Sequence, residues 1–229
     1  MAVEFIWHGH ATWSLRTSSH KILIDPFFTD NPSTDVSPDE VSADFICVSH
    51  GHADHIADCA SIAKRTGATV ISIFEITNWL TEKHGVENCV GGNIGGTINQ
   101  DFGSVQFTNA IHSSQLPDGS YGGNPAGLLF TINKQKFYFA CDTALFSDMS
   151  LIGEAGIDVA VLPIGDHFTM GVSDSVKATN LIKPKFVMPT HFNTWPPIEQ
   201  DSMSWAARIR ENTAAEPIVL EPGGFHKFS

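Results

Sequence analysis

A dense group of metal-competent side chains lies at residues 50–55, His-Gly-His-Ala-Asp-His, between a short apolar run and a helical pattern. Four such side chains within six residues would be costly as ordinary packing, because each buried polar group needs a partner. His50 and His52 can point the same way as the strand ends, whereas Asp54 and His55 begin the helix and turn toward a different point. Two neighbouring metal ions would account for both directions. The pattern therefore favours a dinuclear metal site over a solvated histidine-rich loop.

Strand-like and helical patterns alternate around this group. Apolar or alternating runs predict strands at 3–7, 11–17, 21–25, 44–49, 69–73, 97–99, 105–110, 127–133, 136–141, 157–162 and 186–189. Helical spacing predicts helices at 56–65, 75–84, 173–181 and 198–212, and residues 225–228 fit a sheet edge. No linker separates the two halves, so we expect a single domain, residues 1–229, of two packed sheets covered by helices.

Three further residues follow predicted strands. His112 comes after the strand at 105–110, Asp142 after that at 136–141, and His191 after that at 186–189. Strand ends are where loops gather and sites form. Together with the His-x-His-x-Asp-His group, these residues resemble the metallo-β-lactamase superfamily over essentially the whole chain. The resemblance implies an α/β fold, the four-layer αββα sandwich, with metals at one sheet edge.

The resemblance also implies a role for each of these residues. The first metal would be held by His50, His52 and His112. The second would be held by Asp54, His55 and His191, with Asp142 bridging both. A water or hydroxide between two divalent ions would be the nucleophile, and Asp54 would also act in catalysis by orienting it. Nitrogen-rich ligands suit zinc, while manganese, iron or nickel fit the same donors.

Three shorter motifs resemble the small metal-dependent hydrolase branch of the superfamily, near ascorbate-phosphate lactonase. They are Trp-His-Gly-His-Ala-Thr at 7–12, Ile-Asp-Pro-Phe at 24–27 and Gly-Asp-His-Phe-Thr-Met-Gly at 165–171. In the first two, His10 either lines the site or is a buried structural histidine, and Asp25 either accepts a ligand histidine N–H or caps a turn. In the third, His167 is expected to contact substrate or transfer a proton. Asn193, two residues after His191, binds a polar substrate group or forms a turn.

The amino-acid composition limits the classes of partner that the protein is expected to bind. Lys plus Arg number 13 against 25 Asp plus Glu, a net charge of −12. This balance argues against binding to nucleic acid or an anionic membrane, both of which need a basic surface. It leaves phosphate-bearing substrates open, because a metal can supply positive charge locally. No apolar run approaches the roughly 18 residues of a membrane span, and the first residues do not resemble an export signal, so we expect a cytoplasmic protein.

These features predict a hydrolase acting on a small ester, lactone, thioester or cyclic phosphodiester. The loops at 26–38 and 109–124 are expected to frame a small cleft, and Trp195 and the prolines after it could form one wall. One alternative is a phosphodiesterase or nuclease on short nucleotides, which would need Lys or Arg beside the metals; Lys134, Lys136, Lys183 and Lys185 are the candidates. The other is a metal-binding or ligand-binding protein without turnover. A homo-oligomer is possible, although no segment specifies an interface.

Overall fold

Fourteen strands and six α-helices make up the part of the chain described here, residues 2–229 of a computed structural model. The strands are β1 (Val3–Trp7), β2 (Trp13–Arg16), β3 (Lys21–Ile24), β4 (Phe45–Val48), β5 (Thr69–Ile73), β6 (Cys89–Gly92), β7 (Thr97–Gln100), β8 (Gly103–Asn109), β9 (Ala126–Ile132), β10 (Gln135–Phe139), β11 (Val159–Pro163), β12 (Phe186–Thr190), β13 (Glu216–Pro217) and β14 (Phe225–Phe228). The helices are α1 (Ala53–Ile56), α2 (Cys59–Thr66), α3 (Phe74–His84), α4 (Met149–Gly153), α5 (Val172–Ile182) and α6 (Ser202–Asn212).

The strands form two seven-stranded sheets. The first has the order β14-β1-β2-β3-β4-β5-β6 and the second β13-β12-β11-β10-β9-β8-β7. Strands β3 to β6 run parallel, as do β10 to β13, and the remaining pairs are antiparallel. Helices α2 and α3 contact the first sheet, while α5 and α6 contact the second. This layering confirms the predicted αββα sandwich.

Aromatic side chains fill the space between the sheets. Phe5 of the first sheet packs against Phe137 and Phe139 of the second, with ring centroids 5.1 and 5.6 Å apart. Trp13 meets Phe139 at 6.0 Å, and all four side chains are buried. Full burial of large aromatic rings contributes much of the free energy that holds such layers together. These aromatic contacts hold the inner faces of the two sheets together, which keeps the edge with the candidate ligands assembled.

Two predicted helices differ from the observed ones. The helix predicted at 56–65 is two helices, α1 and α2, and Asp58 between them accepts hydrogen bonds from the backbone N–H groups of Phe28 (2.6 Å) and Thr29 (2.9 Å). The helix predicted at 198–212 begins at Ser202, where the Asp201 carboxylate accepts from the backbone of the first turn and so caps the helix. Asp201 thus caps its helix, whereas the Asp58 side chain instead binds the loop at Phe28 and Thr29.

Among residues 2–229 no helix combines the length and the apolar character that crossing a bilayer requires.

Candidate metal centre

The His-x-His-x-Asp-His group lies where the prediction places it, between β4 and α1. His50 is fully buried, and its Nε2 atom lies 3.0 Å from Nδ1 of the partly buried His52. The other ring nitrogen of His50, Nδ1, is 2.9 Å from the Ser49 hydroxyl. The two imidazoles therefore converge through one nitrogen each, while a hydroxyl fixes the orientation of the first ring.

The second sheet brings the remaining candidates to the same place. His112 follows β8, Asp142 follows β10 and His191 follows β12. Asp142 Oδ2 lies 3.1 Å from His191 Nε2, 3.4 Å from His55 Nε2 and 3.5 Å from His112 Nε2. All seven predicted ligands thus meet at one edge of the sandwich, with the Asp142 carboxylate at the centre.

The donor atoms fall into groups that suit cations. One group, with its atoms within 4.8 Å of one another, is His50, His52 and His112; another is His10, Asp54, His55 and His191. Two ligand atoms about 2.1 Å from one ion at a tetrahedral angle lie about 3.4 Å apart, close to the separations around Asp142 Oδ2.

Buried polar atoms at this edge have no hydrogen-bond partner. They are His55 Nε2, both ring nitrogens of His191, and Asp142 Oδ1. Each such atom costs about 1–3 kcal/mol unless something satisfies it. Because all four unpaired atoms belong to three predicted ligands that lie side by side, the donor set fits divalent metal ions.

The electrostatics of the site also favour a cation. Burial alone would raise the pKa of the Asp142 carboxyl, but His191 and His55 beside it outweigh burial and hold that pKa well below its usual range. For His55 the balance is the reverse: burial lowers its pKa, yet the carboxylates of Asp142, Asp54 and Asp25 raise it well above the ordinary value. Burial lowers the pKa values of His50, His52 and His112. Asp142, His50, His52 and His112 are therefore in the forms that bind metal, and the raised pKa of His55 shows that its buried, carboxylate-rich position favours a positive charge.

Asp25 makes the first of the two kinds of contact considered for it, that with a candidate ligand histidine. Its Oδ2 atom lies 2.9 Å from His55 Nδ1 and accepts from the Ser49 hydroxyl at 2.6 Å, and its Oδ1 accepts from the Ser49 backbone N–H at 2.7 Å. Hydrogen-bonded carboxylates of this kind fix the tautomer of a histidine, so that its other nitrogen presents a lone pair. Ser49, which the sequence did not indicate, hydrogen-bonds both Asp25 and His50, so the Asp25–Ser49 pair connects the His50 and His55 rings.

His10 is fully buried and connects the two sheets at the site. Its Nε2 lies 3.1 Å from Asp54 Oδ2 and its Nδ1 lies 2.8 Å from the Thr194 hydroxyl. Its carbonyl accepts from Thr190 Oγ1 at 2.9 Å and from the His191 N–H at 3.0 Å. Burial, aided by His191, lowers the pKa of His10 to about 3. The ring is therefore neutral and donates through Nε2–H to Asp54 while its Nδ1 accepts from Thr194.

Several residues of the site adopt a backbone conformation that costs energy. The φ angles of His10, Asp25, Cys141 and His191 are 51°, 46°, 53° and 54°. A left-handed conformation costs a non-glycine residue about 1–3 kcal/mol and persists where surrounding contacts compensate for it. His191 is a predicted ligand, Cys141 directly precedes one, and His10 and Asp25 hydrogen-bond to Asp54 and His55. The fold therefore holds these side chains in position at the expense of local stability.

A cleft of about 530 Å³ opens above the donor atoms. Its lining residues are His52, Asp54, His112, Ser113, Asp142, Phe168, His191, Trp195 and Pro197. Trp195 and Pro197 form a wall, as the sequence predicts, and the loop at 109–124 contributes His112 and Ser113. Ser113, whose hydroxyl lies 3.3 Å from His52 Nε2, and Phe168 were not foreseen. The floor of the cleft is thus polar and its wall apolar.

Two predicted site residues lie outside this cleft. His167 is exposed, and its neighbour Phe168 lines the cleft in its place; the proton-transfer role of His167 stays a prediction. Asn193 is exposed and accepts from the Gln200 N–H at 2.7 Å through its side-chain oxygen. That bond makes Asn193 a turn residue, the second of the two roles considered for it, because its polar group is engaged away from the donor atoms.

Basic side chains, the feature expected of a nuclease, do not line the cleft in residues 2–229. Lys136 Nζ donates to the Ala155 carbonyl at 2.7 Å, and Lys185 pairs with Asp158 at 2.7 Å. Both lysines lie at the amino ends of β10 and β12, whereas Asp142 and His191 follow the carboxyl ends of these strands. Lys134 and Lys183 also lie outside the lining.

His8 gives a prediction about acid stability. This side chain is buried, its Nε2 lies 2.7 Å from the Ser14 hydroxyl, and its Nδ1 has no partner. Burial, with a contribution from Arg16, lowers the pKa of His8 to about 4. The unfolded chain takes up this proton near pH 6.5 and the folded chain only near pH 4, so between these values the histidine destabilises the fold as the pH falls. We expect a loss of about 2 kcal/mol between pH 8 and pH 5.

Urea unfolding in the presence of a chelator tests this expectation by comparing wild type with His8→Gln. Between pH 8 and pH 5 the free energy of unfolding of the wild type should fall by about 2 kcal/mol more than that of His8→Gln. The control variant His84→Gln, which replaces an exposed histidine, should show the same fall as the wild type. Parallel pH profiles for wild type and His8→Gln would contradict the assignment.

Comparison with known proteins places the chain in a family. Residues 20–192 match the family model described as a beta-lactamase superfamily domain. The chain belongs to the metallo-β-lactamase superfamily. It is 47% identical to a UPF0173 metal-dependent hydrolase of Thermus thermophilus, over 96% of this chain and 97% of that protein. It is 46% identical to a UPF0173 metal-dependent hydrolase of Bacillus cereus, over 95% and 96%.

A solved structure supports the same assignment. The metallo hydrolase Igni18 of the archaeon Ignicoccus hospitalis superposes with a TM-score of 0.91 at 34% identity, covering 100% of this chain and 99% of that one. The fold and the activity class predicted from the sequence are therefore confirmed: the chain is a metal-dependent hydrolase of this superfamily.

Proposed function

We propose that this hydrolase uses two divalent metal ions, most readily zinc. His50, His52 and His112 would hold the first, Asp54, His55 and His191 the second, and Asp142 would bridge them. The observation that carries this proposal is the convergence of three histidine Nε2 atoms on Asp142 Oδ2 at 3.1–3.5 Å. Six histidine and aspartate side chains around a shared carboxylate offer more donors than one tetrahedral ion takes.

The ions, when bound, would activate water and stabilise the negative charge that develops on the substrate. The residues of the chain perform the remaining tasks. Asp54 lines the cleft, and its Oδ2 is held by His10 Nε2–H. Burial would raise the pKa of Asp54, but His55 and the hydrogen bond from His10 outweigh it and lower that pKa. Asp54 is therefore ionised at neutral pH and can accept a hydrogen bond from a water that attacks the substrate.

The substrate we propose is a small molecule with a hydrolysable carboxyl or phosphoryl centre: an ester, lactone, thioester or cyclic phosphodiester. A cleft of about 530 Å³ lies within the usual size of small-molecule sites. Its mixed lining, polar at the floor and apolar at the wall, would place the reacting group over the donor atoms and the remainder of the substrate against Trp195.

Metal analysis tests the proposal. Protein purified without chelator or a metal-binding tag should contain about two divalent ions per chain. A chelator should abolish hydrolysis of a panel of esters, and added zinc should restore that hydrolysis. His112→Ala should lose one ion, whereas His84→Ala, on an exposed helix end, should keep both. One ion per chain in the wild type would contradict the dinuclear site, and two ions with no turnover of any panel member would favour the non-catalytic alternative.

A further inference from the structure

The wall of the cleft is apolar and preformed. Phe168, Trp195 and Pro197 make up this wall. The Trp195 ring is held between His10 and Phe27, with centroids 4.9 and 6.0 Å away. A short 3-10 helix, Pro196–Ile198, follows it directly, and two consecutive prolines restrict its backbone. The wall therefore presents a fixed apolar surface next to the donor atoms.

One residue of the wall leaves a large apolar area open to water. Phe168 is 54% exposed, although a phenylalanine in a loop gains free energy by burial. The residues before it, Asp166 and His167, have φ angles of 60° and 49°, so the loop holds its left-handed turn while Phe168 faces the cleft. An apolar group placed between Phe168 and Trp195 would bury this surface.

Eight of the 13 Lys and Arg side chains, which could otherwise recognise an anionic substrate group, make contacts outside the cleft. Ion pairs hold Arg16, Lys177, Lys185, Arg210 and Lys227, and hydrogen bonds hold Lys21, Arg65 and Lys136. The cleft lining, within residues 2–229, includes none of the 13 Lys and Arg side chains of the chain. A carboxylate or phosphate on the distal part of a substrate would lose its hydration here without gaining a partner.

From these observations we infer that the substrate is an uncharged carboxyl ester or lactone whose non-reacting part is aromatic or branched aliphatic and packs between Phe168 and Trp195. The inference rests on the proposed function, since the metal ions would act on the reacting group at the floor. It excludes substrates with a second anionic group, such as nucleotides and sugar phosphates, from efficient binding.

Binding of two matched hydroxamic acids to the zinc-loaded full chain tests the inference without turnover. The pair is 3-phenylpropanohydroxamic acid and its para-carboxylate, which differ in one charge at the distal end. Calorimetry should show that the neutral compound binds about 10-fold tighter or more. In Phe168→Lys the preference should disappear or reverse, whereas Phe74→Lys, at an equally exposed phenylalanine (56% against 54%) outside the lining, should keep it. Equal binding of the two compounds to the wild type, or an unchanged preference in Phe168→Lys, would overturn the inference.

Turnover of matched esters separates this inference from the proposed function. We expect zinc-dependent kcat/KM to be higher for 4-nitrophenyl valerate than for mono-4-nitrophenyl glutarate or bis-4-nitrophenyl phosphate. Turnover that favours either anionic substrate would overturn the inference and leave the hydrolase proposal intact. Absence of turnover on all three, with the hydroxamate preference retained, would count against the proposed function and support the apolar ligand class.

Discussion

Replacing Asp142 with alanine is expected to lower metal-dependent kcat/KM by about 1000-fold or more, the scale seen when a group that organises transition-state charge is removed. The physical reason is the position of its carboxylate, which lies within 3.5 Å of three histidine Nε2 atoms. Without this carboxylate, the two proposed metal positions share no ligand. Metal analysis should then find one ion per chain or none, and steady-state kinetics should show the loss of turnover.

A pair of variants controls this experiment. Asp142→Asn keeps the size of the side chain and removes its charge, so it separates loss of the ligand from a packing defect. Asp174→Ala removes an exposed aspartate that pairs with Lys177 at 2.8 Å, and it should leave both metal content and turnover unchanged. Circular dichroism should show all three variants folded. Two ions and undiminished turnover in Asp142→Ala would refute the bridging role.

Replacing Asp25 with asparagine is expected to lower zinc affinity about 10- to 100-fold, the usual effect of removing a hydrogen-bond partner of a metal ligand. Asp25 accepts three hydrogen bonds, two from Ser49 and one from His55 Nδ1. An amide can accept at only one of its two polar atoms, so its NH2 group would face a donor. His55 would then lose the partner that fixes its tautomer.

Zinc titration against a competing chelator measures this change. Asp44→Asn is the matched control, because Asp44 also accepts a backbone N–H, from Lys21 at 2.7 Å, but is exposed and away from the cleft. Its zinc affinity should equal that of the wild type. If Asp25→Asn binds zinc as tightly as Asp44→Asn, the tautomer of His55 does not depend on Asp25.

Four of the candidate ligands can be proposed from the sequence because their signal is local. His50, His52, Asp54 and His55 lie within six residues, and a strand followed by a helix places them at one edge whatever the distant sequence is. His112, Asp142 and His191 were assigned through the resemblance and their positions after strands. Their convergence on one carboxylate depends on how the two sheets pack, which no local pattern contains.

The residues that support the ligands could not be predicted in the same way. Ser49 and Thr194 each contribute one hydroxyl, a group so common in loops that it carries no spacing signal. That Phe168 rather than His167 lines the cleft depends on the left-handed turn at 166–167. The sequence prediction chose His167 because an imidazole can transfer protons, whereas the backbone conformation determines which side chain faces the cleft.

Strand β6 was missed for a related reason. It consists of Cys89–Gly92 and carries two glycines. Glycine is depleted in strands, so a sequence pattern with two glycines indicates a loop. A Cβ atom at Gly92 would lie 2.5 Å from the Phe107 ring, and one at Gly91 would lie 2.6 Å from the Thr77 hydroxyl. The glycines are therefore required by close packing against neighbouring elements, which a single sequence does not display.

The division of the candidate ligands between the two sheets has a thermodynamic consequence. Residues 50–55 follow strand β4 of the first sheet, while His112, Asp142 and His191 follow strands of the second. On the proposed assignment, each ion cross-links the two halves of the sandwich, so metal that binds only the folded chain adds to its stability, about 4 kcal/mol at a thousandfold excess over the dissociation constant. Metal supply would then govern how long the protein survives proteolysis as well as how fast it works.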